Sequence, residues 1–538
     1  MRIRPKVVLL LVTPLLILVA AAYIQWGLVG VPAIPALARA AAAEPSGFPA
    51  WLRITHYVNF LLLTLLIRSG LQILMDHPRL YGNVHCTPGT EWLRLTPIEV
   101  PTDRLWTSKD DSRHLSPWIG LPGYRHTVGM ARHWHFLSVL FWVGNGLAFV
   151  VLLFATGQWR RLVPVSWHIV PDAWAVFVNY ATLHLPAEPD AFYHYNALQQ
   201  LAYFAVVFVL APLAILTGPS MSPALTNRFK WYPGLPGNRQ IGRSLHFLVM
   251  CAFVVFIVMH VTMIVLSGFG RNMDHIVAGT DGASRVGLVL GLVGIAVVIV
   301  LNGLANWAAW RHPRTIQHAS KAIVGSVMGS LLDRPAPQAE FRRADISPFF
   351  WVNGNLPTCD EWHGLAADDF RNYRLKVHGL VERPVELSLD DLMALGKKTQ
   401  VTLHHCIQGW SGIAEWGGLP LSELMKLVKP RPDARAVVFY SFSEGVDFGT
   451  GIAGGQYYDS LSIKDASNPL TLLAYEMNGE PLNRLHGAPL RLRVENQLGF
   501  KMVKWIQAIE LVAEVKSINL GEGGYAEDHE YFGELASI

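Results

Sequence analysis

Six long apolar stretches in the first 310 residues limit what this chain can fold into. A helix of about 20 apolar residues crosses a hydrocarbon layer of about 30 Å, and each stretch reaches that length. Charged residues make up only 16% of the chain and are scarce in this part. We therefore predict an α-helical membrane bundle in a lipid bilayer, with spans near residues 7–29, 53–75, 133–156, 197–218, 245–267 and 286–307.

The first apolar stretch has two interpretations. It follows a basic start, which ends at Lys6, and precedes a run of small residues at 38–43, as a cleaved signal peptide would. Its length favours an uncleaved anchor. Residues 1–50 are therefore predicted to be an N-terminal membrane anchor or a signal segment.

The sequence changes character after Pro313. A polar linker over 311–343 ends the apolar part, and short stretches rich in β-branched residues then alternate with turn-rich connections. We predict a transmembrane domain over 51–310 and a mixed α+β, mostly β domain over 344–538. Its strands are expected near residues 373–381, 400–404, 436–442, 490–494 and 506–512.

Charge and cysteine usage argue against nucleic-acid binding, a disulfide framework and a thiolate zinc site. The net charge of +4 is small for 538 residues, and the basic residues do not form a stripe with aromatic ones, so nucleic acid is not expected as a partner. The four cysteines are far apart and form no Cys-x-x-Cys pair. This spacing argues against a disulfide framework and against a thiolate zinc site.

Four histidines of the apolar part are candidate metal ligands. An imidazole inside a bilayer needs a partner, and two imidazoles facing each other can supply both axial bonds of a haem iron. His246 and His260 are fourteen residues apart, so their rings lie on one helix face at a separation of about 21 Å. His56 and His135 lie near the starts of two other spans and complete two pairs.

Two alternatives stay open for these histidines. His133 competes with His135, which we prefer because the apolar run begins directly after it. Any one of the histidines, taken alone, is more often an interfacial residue bonded to backbone carbonyls or lipid headgroups. The remaining histidines of this part, such as His77, are expected at the surface or at interfaces.

Several motifs accompany the histidines: Arg-Ile-Thr-His at 53–56, Ser-Gly-Leu-Gln at 69–72, Asp-His-Pro-Arg-Leu-Tyr at 76–81, Arg-His-Trp-His at 132–135 and Tyr-Asn-Ala-Leu-Gln at 195–199. With them, residues 50–310 resemble the bacterial di-haem cytochrome b subunits of the formate dehydrogenase gamma and thiosulfate reductase type. The resemblance implies two haems b on the four histidines. It also implies electron exchange with membrane quinone in a bacterial inner membrane.

Cys406 is the candidate reactive residue of the second domain. It follows a predicted strand and precedes a turn that contains Gly409. The flanking His404 and His405 would favour a thiolate if they were protonated, and a soft thiolate suits a redox metal. A lone cysteine is by itself more often a buried structural residue, and no cysteine-peptidase signature is present.

Ordered motifs surround this cysteine: Leu-His-His-Cys at 403–406, Gly-Trp at 409–410, Trp-Gly-Gly-Leu-Pro at 416–420, Leu-Ala-Tyr-Glu-Met-Asn-Gly-Glu-Pro-Leu at 473–482, His-Gly-Ala-Pro-Leu-Arg at 486–491 and Gly-Phe-Lys-Met-Val-Lys-Trp at 499–505. With them, residues 345–515 resemble the sulfite-oxidase-fold molybdenum enzymes, which include bacterial methionine sulfoxide reductase catalytic subunits. The resemblance implies a Mo-molybdopterin cofactor with Cys406 as the thiolate ligand of molybdenum.

The resemblance also implies the residues that hold the rest of this cofactor. A phosphate is bound by a bidentate guanidinium and by ammonium groups that converge on it. Basic residues outside such motifs would more simply form a solvated strand face. The implied cofactor-binding residues beside Cys406 are Asn353, His405, His486, Arg491, Lys501 and Lys504.

The substrate pocket departs from the sulfite oxidase pattern. Where sulfite oxidases carry arginines before the Asn353 position and after the metal-ligating cysteine, this chain has Val352 and the arginine-free stretch 407–410. A cationic sulfite pocket is therefore not reproduced. A small-molecule sulfoxide, N-oxide or oxyanion substrate is compatible with the sequence, and Tyr457 and Tyr458 are candidate lining residues.

Three functional hypotheses follow. The leading one is a quinone-linked oxidoreductase in which Cys406 is the catalytic residue. The second is a membrane electron carrier or docking subunit for a separate reductase, which the presence of Cys406 and the basic residues disfavours. The third, a transporter, would require internal repeats that the sequence lacks. Lys and Arg near the span ends favour a cytoplasmic second domain, and a periplasmic one stays open as the alternative. A homo-oligomer is compatible with the sequence.

Overall fold

The computed structural model describes residues 2–34, 47–101, 106–124, 128–185, 192–229, 232, 238–332, 341–446 and 453–530. The small-residue run at 38–43, the candidate cleavage site, lies outside these ranges. We call the described residues up to 332 the membrane half and those from 341 onward the β-rich half.

Six helical segments of the membrane half are long and apolar enough to cross a membrane, and they overlap all six predicted stretches. The fourth of them is divided by a π-helical turn at Ala205–Leu210. The helices of this half are α1 (Pro5–Val29), α2 (Ala50–Leu74), α3 (Val128–Ala155), α4 (Ile169–Ala181), α5 (Ala197–Phe204), α6 (Ala211–Ser220), α7 (Pro223–Arg228), α8 (Arg239–Leu266), α9 (Phe269–Met273), α10 (Arg285–Arg311) and α11 (Pro313–Leu332).

Helix α11 occupies most of the predicted linker. It begins at Pro313, a residue well suited to the first turn of a helix because its missing N–H would have no helical partner there. α11 packs on α3. Its Arg314 donates a hydrogen bond of 2.8 Å to the carbonyl of Glu527, so the linker also contacts the C-terminal segment.

The N-terminus lies at the bundle end that faces the β-rich half. Strand β1 (Arg2–Ile3) pairs with β3 (Leu93–Arg94), which also pairs with β2 (Arg79–Leu80). Helix α1 is tied to the bundle through hydrogen bonds from Trp174 to Gln25 and from Asn179 to the carbonyl of Pro32. These bonds join α1 and the residues that follow it to α4.

A buried ion-pair network holds the chain between α2 and α3. Arg79 is 1% exposed, and its guanidinium contacts Asp111 at 2.6 Å and Glu91 at 3.0 Å. A buried guanidinium needs such partners because an uncompensated charge is costly to desolvate. The network fixes this connection, which lies between the membrane bundle and the β-rich half.

The β-rich half contains two five-stranded sheets. One has the order β11-β10-β7-β6 with β12 on β10, and the other has the order β5-β4-β13-β8-β9. The strands are β4 (Leu375–Gly379), β5 (Val385–Leu387), β6 (Lys398–His405), β7 (Ser411–Pro420), β8 (Ala436–Val446), β9 (Ala453–Ser462), β10 (Thr471–Met477), β11 (Glu480–Pro481), β12 (Arg491–Val494) and β13 (Ile506–Val512).

Short helices join these strands, and one large apolar core fills the β-rich half. The core includes Trp416 from β7, Phe439 from β8 and Ile509 from β13, all of which are fully buried. This core confirms the predicted mostly β domain. The helices are α12 (Asp360–Ala367), α13 (Leu389–Ala394), α14 (Leu421–Val428), α15 (Ile463–Ala466) and α16 (Tyr525–His529).

Candidate functional site

Cys406 lies in the turn between strands β6 and β7. Antiparallel pairing of the two strands ends at His405 and Ser411. The N–H of Cys406 donates to the carbonyl of Trp410 at 3.1 Å, and the N–H of Gly409 donates to the carbonyl of Cys406 at 3.2 Å. The positive φ of Gly409, 114°, allows this turn. The Cys406 side chain is 2% exposed, so the thiol lies inside the protein.

Burial disfavours the thiolate form of Cys406. Desolvation raises the pKa of this thiol to about 12, and only weaker effects, including the charge of Arg239, act in the opposite direction. Asn353 Nδ2 lies 3.8 Å from Sγ, and Sγ lies 3.8 Å from Gln408 Oε1. A cationic ligand on Sγ would reverse this preference, because a metal deprotonates a coordinating thiol.

The hypothesis that protonated His404 and His405 favour the thiolate form of Cys406 is wrong. Burial and then the charge of Arg493 lower the pKa of His404 well below its usual value, and burial and then Arg239 do the same for His405. Arg493 Nη1 lies 2.9 Å from His404 Nδ1, and Arg239 Nη1 lies 3.4 Å from His405 Nδ1. A guanidinium can only donate, so these ring nitrogens accept and both histidines are neutral.

Aromatic residues from both halves surround Cys406. The cluster joins Tyr81, Cys86 and Trp106 of the membrane half to Trp351 and Trp410 of the β-rich half. Several buried polar atoms beside it have no hydrogen-bond partner in the structure: Asn353 Oδ1, Gln408 Nε2, Tyr81 Oη, and both ring nitrogens of His77. Buried polar atoms normally have partners, so a polar ligand at this site would satisfy groups that the protein leaves unpaired.

His77 corrects an expectation from the sequence. The sequence predicts it at the surface or at an interface, but its side chain is fully buried. It stacks on Tyr81 with ring centroids 5.9 Å apart and meets Trp351 edge-on at 4.9 Å. The predicted loop position is right, but the loop itself is covered by the β-rich half.

Three of the predicted phosphate-binding residues converge in the β-rich half. Any Cβ at Gly487 would lie 3.1 Å from the Cβ atoms of Arg491 and Lys504. Arg491 Nη1 donates to the carbonyl of His486 at 2.9 Å, and Lys504 Nζ donates to the carbonyl of Leu485 at 3.0 Å. The side chains of Arg491 and Lys504 therefore meet at the glycine that follows His486.

This cluster has excess positive charge. Among the described residues, neither Arg491 nor Lys504 forms an ion pair, and Arg491 Nε has no hydrogen-bond partner. Burial and then Arg491 lower the pKa of Lys504, while burial and then these two cations lower the pKa of His486 to about 4. Neither cation forms an ion pair among the described residues, although the charge of Glu495 acts on Arg491 at longer range, so the residues present fit a bound anion such as a phosphate.

Lys501 has different surroundings. Its ammonium lies 2.7 Å from Asp459 Oδ1 and also contacts the Glu527 carboxylate. Both carboxylates raise the pKa of Lys501 in spite of its burial. Because its charge is already compensated twice, we do not extend the phosphate-binding role to this residue.

The four candidate haem ligands form two pairs. Ring centroids of His135 and His246 are 6.3 Å apart, and those of His56 and His260 are also 6.3 Å apart. A metal–imidazole bond is about 2 Å and a ring centroid lies about 1 Å behind its nitrogen, so two axial ligands of one metal have centroids about 6 Å apart. Both pairs have the spacing that one iron between them would require.

Hydroxyl groups orient the rings of the first pair. Ser69 Oγ donates to the carbonyl of Leu65 at 2.7 Å and lies 3.0 Å from His135 Nδ1. Thr217 Oγ1 donates to Leu213 at 2.7 Å and lies 2.9 Å from His246 Nδ1. Each hydroxyl proton is already used, so its oxygen accepts from Nδ1–H and leaves Nε2 unprotonated for a metal.

The structure places His133 and His135 in different surroundings. His135 faces His246 across the bundle, whereas His133 is 5% exposed and is not part of either histidine pair. The structure therefore brings together the four histidines selected from the sequence.

Comparison with known families agrees with the presence of a membrane half and a β-rich half. Residues 363–518 match the oxidoreductase molybdopterin binding domain family, and residues 47–279 match the prokaryotic cytochrome b561 family. The chain is a cytochrome b561 fused to a molybdopterin-binding oxidoreductase domain. The two families imply a molybdopterin cofactor and haem b, and together with the six apolar helices they make the fusion an integral membrane protein.

Three relatives illustrate the similarity of the fusion to known proteins. A putative protein-methionine-sulfoxide reductase subunit of Azospira oryzae is 35% identical over 30% of this chain and 55% of its own length. The protein-methionine-sulfoxide reductase catalytic subunit of Xanthomonas axonopodis is 36% identical over 27% and 46%. The sulfite oxidase of Arabidopsis thaliana is 34% identical over 27% and 44%. The fusion spans about half the length of these curated relatives.

The cytochrome part also supplies residues around Cys406 that the sequence did not single out. Ser108 Oγ donates to Gln408 Oε1 at 2.6 Å, Arg239 Nη2 donates to the carbonyl of Cys406 at 3.2 Å, and Gln240 Nε2 donates to the carbonyl of Gly409 at 2.9 Å. These residues are more than 160 positions away from their partners. No local pattern marks them, and only the docking of the two halves brings them to the site.

Proposed function

We propose that this fusion is a membrane-bound molybdenum oxidoreductase that couples oxygen-atom transfer at a Mo-molybdopterin centre to quinone or quinol through two haems b. The observation that carries the proposal is the combination, in one chain, of two imidazole pairs with a spacing that suits axial ligands, a buried thiol, and a cluster of buried cations that form no ion pair among the described residues. The proposed domain bounds are 51–310 for the di-haem domain and 344–538 for the molybdopterin domain.

Each half has assigned residues. Cys406 is the proposed molybdenum ligand, with Asn353 and His405 beside it. His486, Arg491 and Lys504 are the proposed phosphate-binding residues, since they lie together and neither of the two cations forms an ion pair among the described residues. The proposed iron ligands are His56 with His260 and His135 with His246.

A bound molybdenum centre would supply oxygen-atom exchange, and the haems would supply one-electron carriage. The chain itself supplies the insulation and orientation. Burial of Cys406 keeps water from the thiol, Ser69 and Thr217 hold the first imidazole pair in one tautomer, and Arg491 and Lys504 provide an anion with two cationic donors.

The two imidazole pairs lie at different depths in the bundle. His246 is near the start of α8, where Gln240 contacts the Cys406 turn, and His260 is about 21 Å further along the same helix. We therefore assign the His135–His246 pair to exchange with the molybdenum centre. A haem held by His56 and His260 would then exchange electrons with the quinone pool near the opposite bundle end.

The proposed substrate is a small-molecule sulfoxide, with an N-oxide or an oxyanion as alternatives. Two relatives are named methionine sulfoxide reductases and one a sulfite oxidase, which supports a sulfur-centred oxygen transfer. In the reducing direction, the sulfoxide S–O bond breaks, and the oxygen takes two electrons and two protons from a quinol to form water. The products are then a thioether, water and the quinone.

Metal analysis with reduced-minus-oxidised visible spectroscopy on the detergent-purified protein tests the proposal. We expect two haems b and one molybdenum per chain. Cys406→Ser should lose at least about tenfold in substrate-dependent haem reoxidation while its haem spectrum stays unchanged. Haem without molybdenum in a cofactor-competent host, or full turnover by Cys406→Ser, would instead favour an electron carrier that docks a separate reductase.

A further inference from the structure

We infer that the membrane half fixes the Cys406 turn in place, and that Gln240 and Ser108 are positioning residues for the Cys406 thiolate. The inference rests on the proposed function, because it takes Cys406 to be the molybdenum ligand. It deepens that proposal by naming the surface through which the haem-bearing bundle is joined to the molybdenum site.

Side chains in the first turn of α8 donate hydrogen bonds to the Cys406 turn. Gln240 is fully buried, and its Nε2 donates to the carbonyl of Gly409 at 2.9 Å and to Ser411 Oγ at 3.1 Å. Arg239 Nη2 donates to the carbonyl of Cys406 at 3.2 Å. These bonds hold the turn at Cys406 itself and at the residues that follow it.

The start of α8 is itself held by a side-chain cap. Asn238 Oδ1 accepts from the backbone N–H groups of Gln240 and Ile241 at 2.9 and 3.1 Å. An asparagine at this position satisfies N–H groups that the helix cannot pair. The donors that reach the Cys406 turn therefore project from an ordered helix end.

Ser108 links the two segments of the β-rich half that approach the thiol. Its hydroxyl donates to Gln408 Oε1 at 2.6 Å, and its backbone N–H donates to the carbonyl of Val352 at 2.8 Å. Gln408 Oε1 lies 3.8 Å from Cys406 Sγ, and Val352 precedes Asn353, whose Nδ2 also lies 3.8 Å from Sγ. Ser108 is fully buried, so it acts as a fixed bridge between both neighbours of the thiol.

The two halves approach each other closely at Gly409. A Cβ at this position would lie 3.1 Å from Cζ of Arg243, a residue on the next turn of α8. Arg243 donates in turn to the carbonyls of Arg79 and His77. Cys86 of the same connection accepts the backbone N–H of Ser411 at 3.4 Å. The interface is thus polar and hydrogen-bonded at several points.

Helix α8 therefore carries both the side chains that bond to the Cys406 turn and a proposed haem ligand. Gln240 and His246 are six residues apart, which is about 9 Å along a helix axis. A hydrogen bond that orients a metal ligand also affects the metal, although its donor does not touch the metal. Loss of such a bond alters the properties of the metal centre itself. Gln240 and Ser108 should therefore influence the molybdenum centre even though neither contacts it.

The test compares Gln240→Ala and Ser108→Ala with the unaltered protein, after molybdenum and haem have been measured in all three. We expect an altered EPR signal of the molybdenum centre in both variants. We also expect about tenfold faster loss of molybdenum during incubation with a chelator, as when other residues that orient a metal ligand are replaced. The haem absorption spectrum should stay unchanged. The two variants act on the turn independently, so either one is sufficient to support the inference.

Gln200→Ala is the matched control. Gln200 also donates to two backbone carbonyls, those of Arg160 and Val163, but at the opposite end of the bundle. It should leave the EPR signal and the molybdenum retention unchanged. An EPR signal and a retention rate identical to those of the parent in both Gln240→Ala and Ser108→Ala would overturn the inference, whereas absence of molybdenum from the parent itself would contradict the proposed function instead.

Discussion

At the scale of single residues, the balance of buried charge distinguishes side chains that the sequence groups together. Arg491, Lys501 and Lys504 are all basic and all lie in the motifs that the sequence offers for phosphate binding. Lys501 meets two carboxylates, while the other two form no ion pair among the described residues. The sequence cannot distinguish these cases, because Asp459 and Glu527 are distant in the chain and their carboxylates reach Lys501 only in the folded protein.

Replacing Lys501 by Met should destabilise the protein. Asp459 and Glu527 are 1% and 3% exposed, and removal of their shared cation would leave two buried carboxylates next to each other. We expect the free energy of unfolding to fall by about 3–5 kcal/mol. Thermal unfolding of the full chain in detergent measures the change.

Lys426→Met provides the control for this substitution. Lys426 pairs with Glu423 on the surface, where the two side chains are 72% and 40% exposed. Such pairs contribute about 0–1 kcal/mol. Equal melting temperatures for the two variants would mean that the buried ion pairs of Lys501 stabilise the protein no more than the surface ion pair of Lys426 does.

Acidification should destabilise the β-rich half through its buried histidines. Burial lowers the pKa of His486 from 6.5 to about 4, and it lowers the pKa values of His404 and His405 in the same direction. As the pH falls below 6.5, the unfolded chain takes up these protons first, so stability is lost towards pH 4.

The pH dependence of the melting temperature measures this effect. His486→Gln should give a shallower decline between pH 6.5 and 4 than the parent, because one titrating group is absent. Replacement of His378, an exposed histidine on β4, should leave the decline unchanged. A parent melting temperature that is constant over this range would refute the expectation.

At the scale of elements, buried strands were harder to predict than spanning helices. The bounds of β4, β6, β8, β12 and β13 overlap predicted strands, but other strands, β7 and β10 among them, were missed. Almost every residue of both strands is buried, so neither shows the alternation of apolar and polar residues that marks a half-exposed strand. β7 also contains glycines, and Gly418 is required because a Cβ there would lie 2.3 Å from the carbonyl oxygen of Leu473.

The two imidazole pairs should be separable by mutation. His246→Ala removes a member of the pair nearer the β-rich half, and His260→Ala removes a member of the other pair. Each variant should retain about half of the haem of the parent, since an iron between two imidazoles needs both axial bonds. The pyridine haemochrome assay counts the haems.

His133→Ala is the control for the haem variants, since His133 is adjacent to His135 in sequence but is not part of either pair. It should keep the full haem content. If His133→Ala lost one haem while His135→Ala kept both, the assignment of the ligands would have to be exchanged.

At the scale of the whole molecule, segments of the membrane half that are distant in sequence meet at the bundle end that contacts the β-rich half. The N-terminal strand, the connection after α2 and the start of α8 all lie there. Hydropathy and the spacing of His246 and His260 predicted the spans and the histidine pairs, because both depend on local periodicity. The wall of the Cys406 site could not be predicted, because it depends on contacts between residues such as Ser108 and Gln408 that are remote in sequence.

The distribution of Lys and Arg predicts that this shared end faces the cytoplasm. Alkaline phosphatase fused after Ile538 should then be inactive, and the same enzyme inserted between α9 and α10 should be active. Fusions of green fluorescent protein at both sites should give the opposite pattern, with fluorescence only at the C-terminus. Active phosphatase at the C-terminus would place the β-rich half on the outer face.

The grip of α8 on the Cys406 turn also has a consequence for biosynthesis. A ribosome completes α8 well before it reaches Cys406, and domains generally fold in the order in which they emerge. The surface that receives the Cys406 turn therefore already exists in the membrane when the second half is made. The bundle then acts as an intramolecular template, so a substitution that slows insertion of α8 should reduce the yield of the mature β-rich half, although it lies in another domain.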